Sequence, residues 1–320
     1  MFDLSLFSVA PGVFVLACLL DLLLGDPEWV PHPVRWIGWP IGYIDRHRSN
    51  LPFSDRISGL LVGILYPLTV GSIVVFALVL SQAYSKLLFA GGSIFFLWSA
   101  LSVRSLFDAG KSVLEPIRRG KVKEARNAVD RMVGRKTEFM NEEQISRAAV
   151  ESIAEGFLDG VASPLFWVLV AGVPGVMVYK TVNTLDSMIG YRSEEYLVFG
   201  TVSARLDDCL NWVPARLILL VIPLASLVGG NSFRKSLTVG FADRTAHPSP
   251  NAGHPEAAFA GALGCRLGGK TEYDGYNEWK PFLNEDAQSA GTSDLEQCLH
   301  LYAIGVGMTE IISLSFLLLL

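Results

Sequence analysis

The chain is short of charge. Only 18% of its 320 residues are Asp, Glu, Lys or Arg, while 51% are hydrophobic. Ordinary soluble domains carry about 25% charged residues, so a soluble protein is disfavoured from the outset. It also has no basic excess, since the formal charge is −5, and no block of like charge stands out. That removes the electrostatic footprint of a nucleic-acid binder. Cysteines number four (Cys18, Cys209, Cys265, Cys298), widely scattered and without a CxxC, which reads as small apolar residues and not as a metal or disulfide framework. Chemical signatures are missing too. There is no GK[ST] phosphate loop, no G-x-S-x-G elbow and no H-E-x-x-H. GALGCRLGG has the glycines of a nucleotide loop but no strand is expected before it, and it is set aside. No Lys or Arg precedes the first apolar stretch, MFDLSLFSVAPGVFVLACLL, so it reads as a retained span and not as a cleaved signal peptide.

What is present is long apolar sequence. A helix needs about 20 mostly apolar residues to cross a bilayer. Residues 57–80 carry no charge and form the clearest span; 87–103 is shorter but uncharged. Residues 4–24 qualify with Asp21 near one end, 301–320 with Glu310 in the middle, and 213–229 with Arg216 in its first turn. Residues 161–179 are uncharged but interrupted by Gly172-Val173-Pro174-Gly175, either a kink or the tip of a re-entrant hairpin near 161–190. The expected fold is therefore all-α and polytopic, with about 4–6 transmembrane helices in one membrane-embedded domain over 1–320. A soluble helical insert is expected at 104–160, and a polar loop over 230–300.

Lys and Arg number eleven in 104–160, four in 25–56 and one in 81–86, which puts the first two segments on the cytoplasmic side. If 161–179 is a hairpin, the polar segment 180–212 stays on that side as well. The hairpin is the favoured reading, because the polar motifs on both sides look like parts of one site. In KVKEARNAVDRMV the apolar residues recur at helical spacing. Asn141 followed by Gln144 predicts a capped helix running to about Asp159.

Polar residues crowd around the interrupted apolar run. Glu151, Glu155 and Asp159 fall at i, i+4 and i+8 and so share one helix face, suited to holding Mg²⁺ or simply to meeting water. Lys180, Asn183 and Asp186 lie within two turns after the run, where Lys180 can present an ammonium to a phosphate or carboxylate. Arg205, Asp207, Asp208, Asn211 and Arg216 form a second cluster, in which adjacent Asp207 and Asp208 face different ways and at most one serves a given site. Near the N-terminus, Asp21 inside the hydrocarbon edge is a functional candidate by its cost, and the proline-rich turn after it places Asp26, His32 and Arg35. HPSPNAGHPEAAFAGALG supplies His247, Asn251, His254 and Glu256, without zinc-site spacing.

Four segments, AAVESIAEGFLDGVASPLFW, YKTVNTLDSMIGY, FGTVSARLDDCLNWVPARL and HPSPNAGHPEAAFAGALG, resemble in this order the adenosylcobinamide-phosphate synthase (CobD/CbiB) family of cobalamin biosynthesis. The resemblance runs from the GDP…HPV region to about residue 265. Two positions depart from it: Gly156 stands where the family pattern has Asn, and Lys136 where it has an acidic residue, a change expected to touch only a surface turn. The resemblance implies a multi-pass enzyme of the cell membrane, an amide-forming ligase. It would join aminopropanol, or its O-phosphate, to the propionate carboxyl of adenosylcobyric acid, with ATP and Mg²⁺. It implies catalytic roles for Glu151, Glu155, Asp159, Lys180, Asn183 and Asp186, with Mg²⁺ on Glu151, Glu155 and Asp186. Substrate contacts would fall to Asp21, Asp26, His32, Arg35, Arg205, Asp208, Arg216, His247, Asn251 and Glu256. Expected partners are these small molecules, the lipid bilayer and other corrin-pathway membrane enzymes, with no nucleic acid. The competing expectations are a membrane sensor or scaffold of the same fold, and a transporter.

Overall fold

In the computed structural model, residues 8–27, 29–191, 196–273 and 276–319 are described. The chain is overwhelmingly helical: α1 (Pro11–Leu24), α2 (Pro33–Arg46), α3 (Asp55–Tyr84), α4 (Lys86–Ala100), α5 (Val103–Arg118), α6 (Val122–Asp130), α7 (Glu142–Phe157), α8 (Ser163–Ile189), α9 (Thr201–Val228), α10 (Phe233–Asp243), α11 (Gly253–Leu263) and α12 (Thr292–Leu319). Five helical stretches are long and apolar enough to cross a membrane, which makes this an all-α, multi-pass membrane protein. It divides into two compact units, Met1–Ser102 with Ser163–Asn211 and Glu310–Leu320, and Val103–Ala162 with Trp212–Thr309, a division that a reading of 1–320 as one domain does not make.

The first unit is membrane-grade. α3 extends the expected 57–80 span to 30 residues and turns Leu60, Leu65, Leu68, Ile73 and Phe76 outward, as a lipid-facing helix does. Gly59 and Gly63, one turn apart, let another backbone come close: a Cβ on Gly59 would stand 2.0 Å from the Phe199 carbonyl oxygen, and one on Gly63 2.9 Å from Val202. Close approach across small residues is the usual way membrane helices gain packing. α1 has only 14 residues, too few to cross alone, while residues 4–7 of the expected 4–24 span lie outside the described residues. Its Cys18 hydrogen-bonds Glu310, giving that mid-span acid a partner.

The interruption at 172–175 is a true reversal. Ala171 and Gly172 leave helical geometry, Gly172 at φ 61°, ψ −158°, a region open to glycine and costly for any other residue. Ser163 and Tyr179 would be about 24 Å apart on a straight helix. Both donate to the same oxygen, Asn211 Oδ1, at 2.5 Å and 3.0 Å. The two arms of α8 therefore fold back on each other as a hairpin.

The second unit has an aromatic centre in which Phe157 meets Phe259 and Tyr302 edge-on. α5 and α7 pack beside it, and α11, small and buried almost throughout, lies against α10. α7 opens on the predicted capping box between Asn141 and Gln144. The expected polar loop over 230–300 is corrected: it holds α10, α11 and a three-stranded sheet, β1 (Cys265–Tyr273), β2 (Tyr276–Leu283) and β3 (Gln288–Ser289), in the order β2-β1-β3. β1 pairs antiparallel with β2, Leu267 opposite Leu283, and the register slips between Leu267 and Gly269. Hydrophobic periodicity misses it because residues 268–280 mix Gly, Lys, Glu, Asn and Asp and alternate poorly.

Candidate functional site

Each unit holds buried polar side chains gathered into clusters. In the first unit one cluster is built on Asn211, which is 1% exposed. Besides accepting from Ser163 and Tyr179, Asn211 donates through Nδ2 to Asp207 Oδ2 at 2.9 Å, and Asn183 Nδ2 donates to Asp207 Oδ1 at 3.2 Å. Trp167 Nε1 donates to the Leu210 carbonyl, fixing the short arm of the hairpin to α9. Lys180 and Asn183 are buried. Asp186 and Asp208 lie close enough to Asp207 to repel its charge. Sequence reasoning allowed only one of the two adjacent aspartates a place and took Asp208. Asp207 is the buried one and carries the amide contacts, whereas Asp208 is half-buried and Arg205 exposed. The i, i+4 spacing of Asp207 and Asn211 was the signal available.

The GDP…HPVR segment forms a turn of its own. His32 Nε2 lies 3.0 Å from Asp26 Oδ1, with Trp98 edge-on to the imidazole. Trp98 donates to the Gly25 carbonyl, and Arg35 donates to the carbonyls of Asp26 and Pro27. Arg35 thus holds the turn together. Asp21, fully buried, sits where α1 ends.

In the second unit Glu151 is engaged on both oxygens. Arg135 donates to Oε2 at 2.5 Å, the Gly268 N–H donates to Oε1 at 2.8 Å, and Arg147 Nε stands 3.9 Å away. The register slip in β1 frees that N–H from the ladder. Gly268 (φ 88°) is also the residue type the bulge tolerates, since a Cβ there would meet the Pro281 carbonyl at 2.3 Å. Glu155, one turn on, is exposed. The chain then loosens into a π-helical turn at Leu158–Ala162, so the shared face of Glu151, Glu155 and Asp159 does not continue through Asp159. Glu151 is spent on Arg135 and a backbone amide, and among the described residues no group of three or more His, Cys, Asp or Glu is disposed to hold a metal ion. Gly156, where the resemblance expects Asn, lies under α5: a Cβ would meet Leu106 at 2.6 Å, so leucine fills the place of the amide.

Glu256 is 1% exposed, and among the described residues neither carboxylate oxygen accepts a hydrogen bond. Burial pushes its carboxyl well above the usual range, Lys280 opposes this, and Glu151 and Glu155 add to it. Burial thus favours its protonated form. Its neighbour is His247, with Nε2 3.5 Å from Oε1, while His247 Nδ1 accepts from the Ser249 N–H. In a neutral ring this places the His247 proton on Nε2, facing Glu256. His254 is 2% exposed, with its ring near the Asn251 backbone. Its pKa is pushed down to about 4 by burial and then by Arg216 and Arg244. Arg216, expected at the membrane edge, stacks over Trp212 at 4.2 Å and donates to Asn251 Oδ1 at 3.2 Å.

A model of the CobD/CbiB protein family matches residues 14–302. The chain belongs to the CobD/CbiB family. Among its relatives, the cobalamin biosynthesis protein CobD of Klebsiella pneumoniae subsp. pneumoniae is 38% identical over 294 residues, 89% of this chain and 90% of the relative. The protein of the same name from Geobacter metallireducens is 41% identical over 281 residues, 86% and 87% of the two chains. The cobalamin biosynthesis protein CbiB of Salmonella typhimurium is 36% identical over 289 residues, 89% and 91%. No solved structure matches the chain.

Proposed function

We propose that this CobD/CbiB protein acts in cobalamin biosynthesis at the cell membrane. Its reaction is the ATP-dependent joining of aminopropanol, or aminopropanol O-phosphate, to the propionate carboxyl of adenosylcobyric acid. Membership of the family carries the pathway. The observation that carries the chemistry is Glu256, a buried carboxyl that accepts no hydrogen bond among the described residues, is pushed toward its protonated form by burial, and has His247 Nε2 3.5 Å away. Such a group costs stability and earns its place by meeting a substrate. A neutral carboxyl donates a hydrogen bond to an acyl oxygen at neutral pH, as a carboxylate cannot. Unprotonated His254 offers a ring nitrogen for the proton that the attacking amine sheds. The two sit at i and i+2 on α11 and face different ways, so they serve different ends of the reaction.

Mg²⁺ and ATP fit the proposal on revised terms. Asp186 and Asp207 are neighbouring carboxylates whose mutual repulsion a divalent cation relieves, and Mg²⁺ binds through one or two carboxylates with waters and phosphates. When bound, the pair supplies activation of a carboxylate that does not condense with an amine in water. Lys180, buried in the same unit, would neutralise a phosphate oxygen.

The test is direct. Purified protein is incubated with adenosylcobyric acid, aminopropanol phosphate, ATP and Mg²⁺, and the corrinoids are weighed by mass spectrometry. A product heavier by the amine less water supports the ligase. Absence of product with corrinoid still bound points to a non-enzymatic role. Glu256→Gln is expected to cut product formation strongly while the protein stays in the membrane; unchanged turnover would remove Glu256 from the site.

A further inference from the structure

The second unit contains a cavity of about 220 Å³ that none of the roles above uses. It is framed by the turn that follows α6, the first two turns of α7, and β1, with Arg135, Lys136, Arg147, Lys270 and Thr271 in its wall. Two contacts fix the frame. The Lys136 N–H donates to the Glu272 carbonyl, tying the turn to the strand edge, and Arg135 donates to Thr271 Oγ1 at 3.3 Å. Four cations therefore face one space whose single acidic lining residue is Glu272, already paired with Lys270 at 2.6 Å. Arg135 is balanced by Glu151 behind the wall. Arg147 is not balanced to the same degree. Its Nε is buried without a hydrogen-bond partner, 3.9 Å from Glu151, and it also feels Glu143, Arg135 and Arg266. Packing like charges around a small void is unfavourable unless an anion enters it. Lys136, expected to alter a surface turn, is exposed and also stands in this wall.

The size limits the occupant. Pockets for whole drug-sized ligands run to roughly 300–1,000 Å³, so this one accepts the head of a molecule. Arginine forks and lysine ammonium groups are the donors that phosphoryl oxygens require, and a phosphate monoester brings about −1.5 to −2 charge at pH 7. Phe139, 80% exposed, stands at the rim, where an apolar tail can lie.

We propose that this cavity is a phosphoryl-binding site, in which Arg147, Lys136 and Lys270 hold the phosphate of a small phosphorylated co-substrate or of an anionic lipid headgroup. The first source rests on the ligase reading, and the second does not.

Binding is measured by titration calorimetry on the full chain in detergent, with inorganic phosphate and tripolyphosphate as probes. A parallel arm compares the chain in nanodiscs of phosphatidylcholine alone with nanodiscs containing equal parts phosphatidylglycerol, by thermal stability. Saturable one-site binding is expected. It should weaken about tenfold or more in Lys136→Ala/Lys270→Ala and in Arg147→Gln, and stay as in wild type in Lys123→Ala, an exposed control. The double variant changes side chains that point to water, so it reads out even if Arg147→Gln folds poorly. Binding of the soluble probes assigns the site to a soluble phosphate. Stabilisation by phosphatidylglycerol alone, lost in the double variant, assigns it to a lipid. Equal binding by all variants, or none in either arm, overturns the proposal. Amide formation unchanged in the double variant separates the outcomes further, since it would detach this site from the ligase reading without touching that reading.

Discussion

The polar clusters of the two units differ in how completely their groups are partnered. Around Asn211 each named contact closes on another: hydroxyls from Ser163 and Tyr179 on one side, Asp207 on the other, and Asn183 beyond. In the second unit Glu151 is equally well served, but Glu256, with His247 3.5 Å away, accepts no hydrogen bond among the described residues at the same depth. A closed buried network rigidifies a fold, whereas an orphaned buried group costs free energy that packing must supply elsewhere. The first arrangement locks the hairpin while holding Asp207 beside Asp186, and the second leaves acceptors open to a substrate.

The sharpest way to break this contrast is Arg135→Met, which leaves Glu151 charged and buried with one donor fewer. A loss of about 3–5 kcal/mol is expected, read as thermal or denaturant unfolding in detergent. Asn211→Leu keeps the volume and strands three partners, for a loss of about 3 kcal/mol or more. If it unfolds like wild type, the lock on the hairpin is elsewhere. Gly172→Ala forces a side chain into a glycine conformation at the hairpin tip and should cost about 1–3 kcal/mol, with a wild-type result showing that the tip relaxes freely.

Subtler effects come from titration. Glu256 has a folded pKa above its ordinary 4.5, so its contribution to stability is full below 4.5 and is lost as pH rises toward the folded value. Glu256→Gln should therefore gain on wild type as pH climbs from 5 to 8; parallel stability curves would show that the acid is solvated. His254 has the opposite sign. Its folded pKa, about 4 against 6.5, leaves its contribution complete above 6.5 and lost as pH falls toward 4. His254→Gln should flatten only that acid limb.

Much of this was legible in the order of residues. Length and apolarity place α3, α4, α9 and α12, because a bilayer leaves a chain little choice but helix. Gly172 and Pro174 in an uncharged run announce the reversal, and Asn141 with Gln144 announces the start of α7. What composition could not show was pairing. Which of Asp207 and Asp208 turns inward depends on the helix rotation that the hairpin imposes. Glu151 looks like a metal ligand until the bulge at Gly268 brings a backbone amide to it. Lys136 is surface, as its sequence suggests, but only the strand edge at Glu272 shows that it borders a cavity. The sequence alone determined that this chain enters a membrane, folds as helix and keeps a dense polar minority, since those follow from local hydropathy and periodicity. Only the tertiary structure decided which of those polar groups satisfy one another and which are left waiting, since hydrogen bonding across 117 residues, as between Glu151 and Gly268, has no local signature.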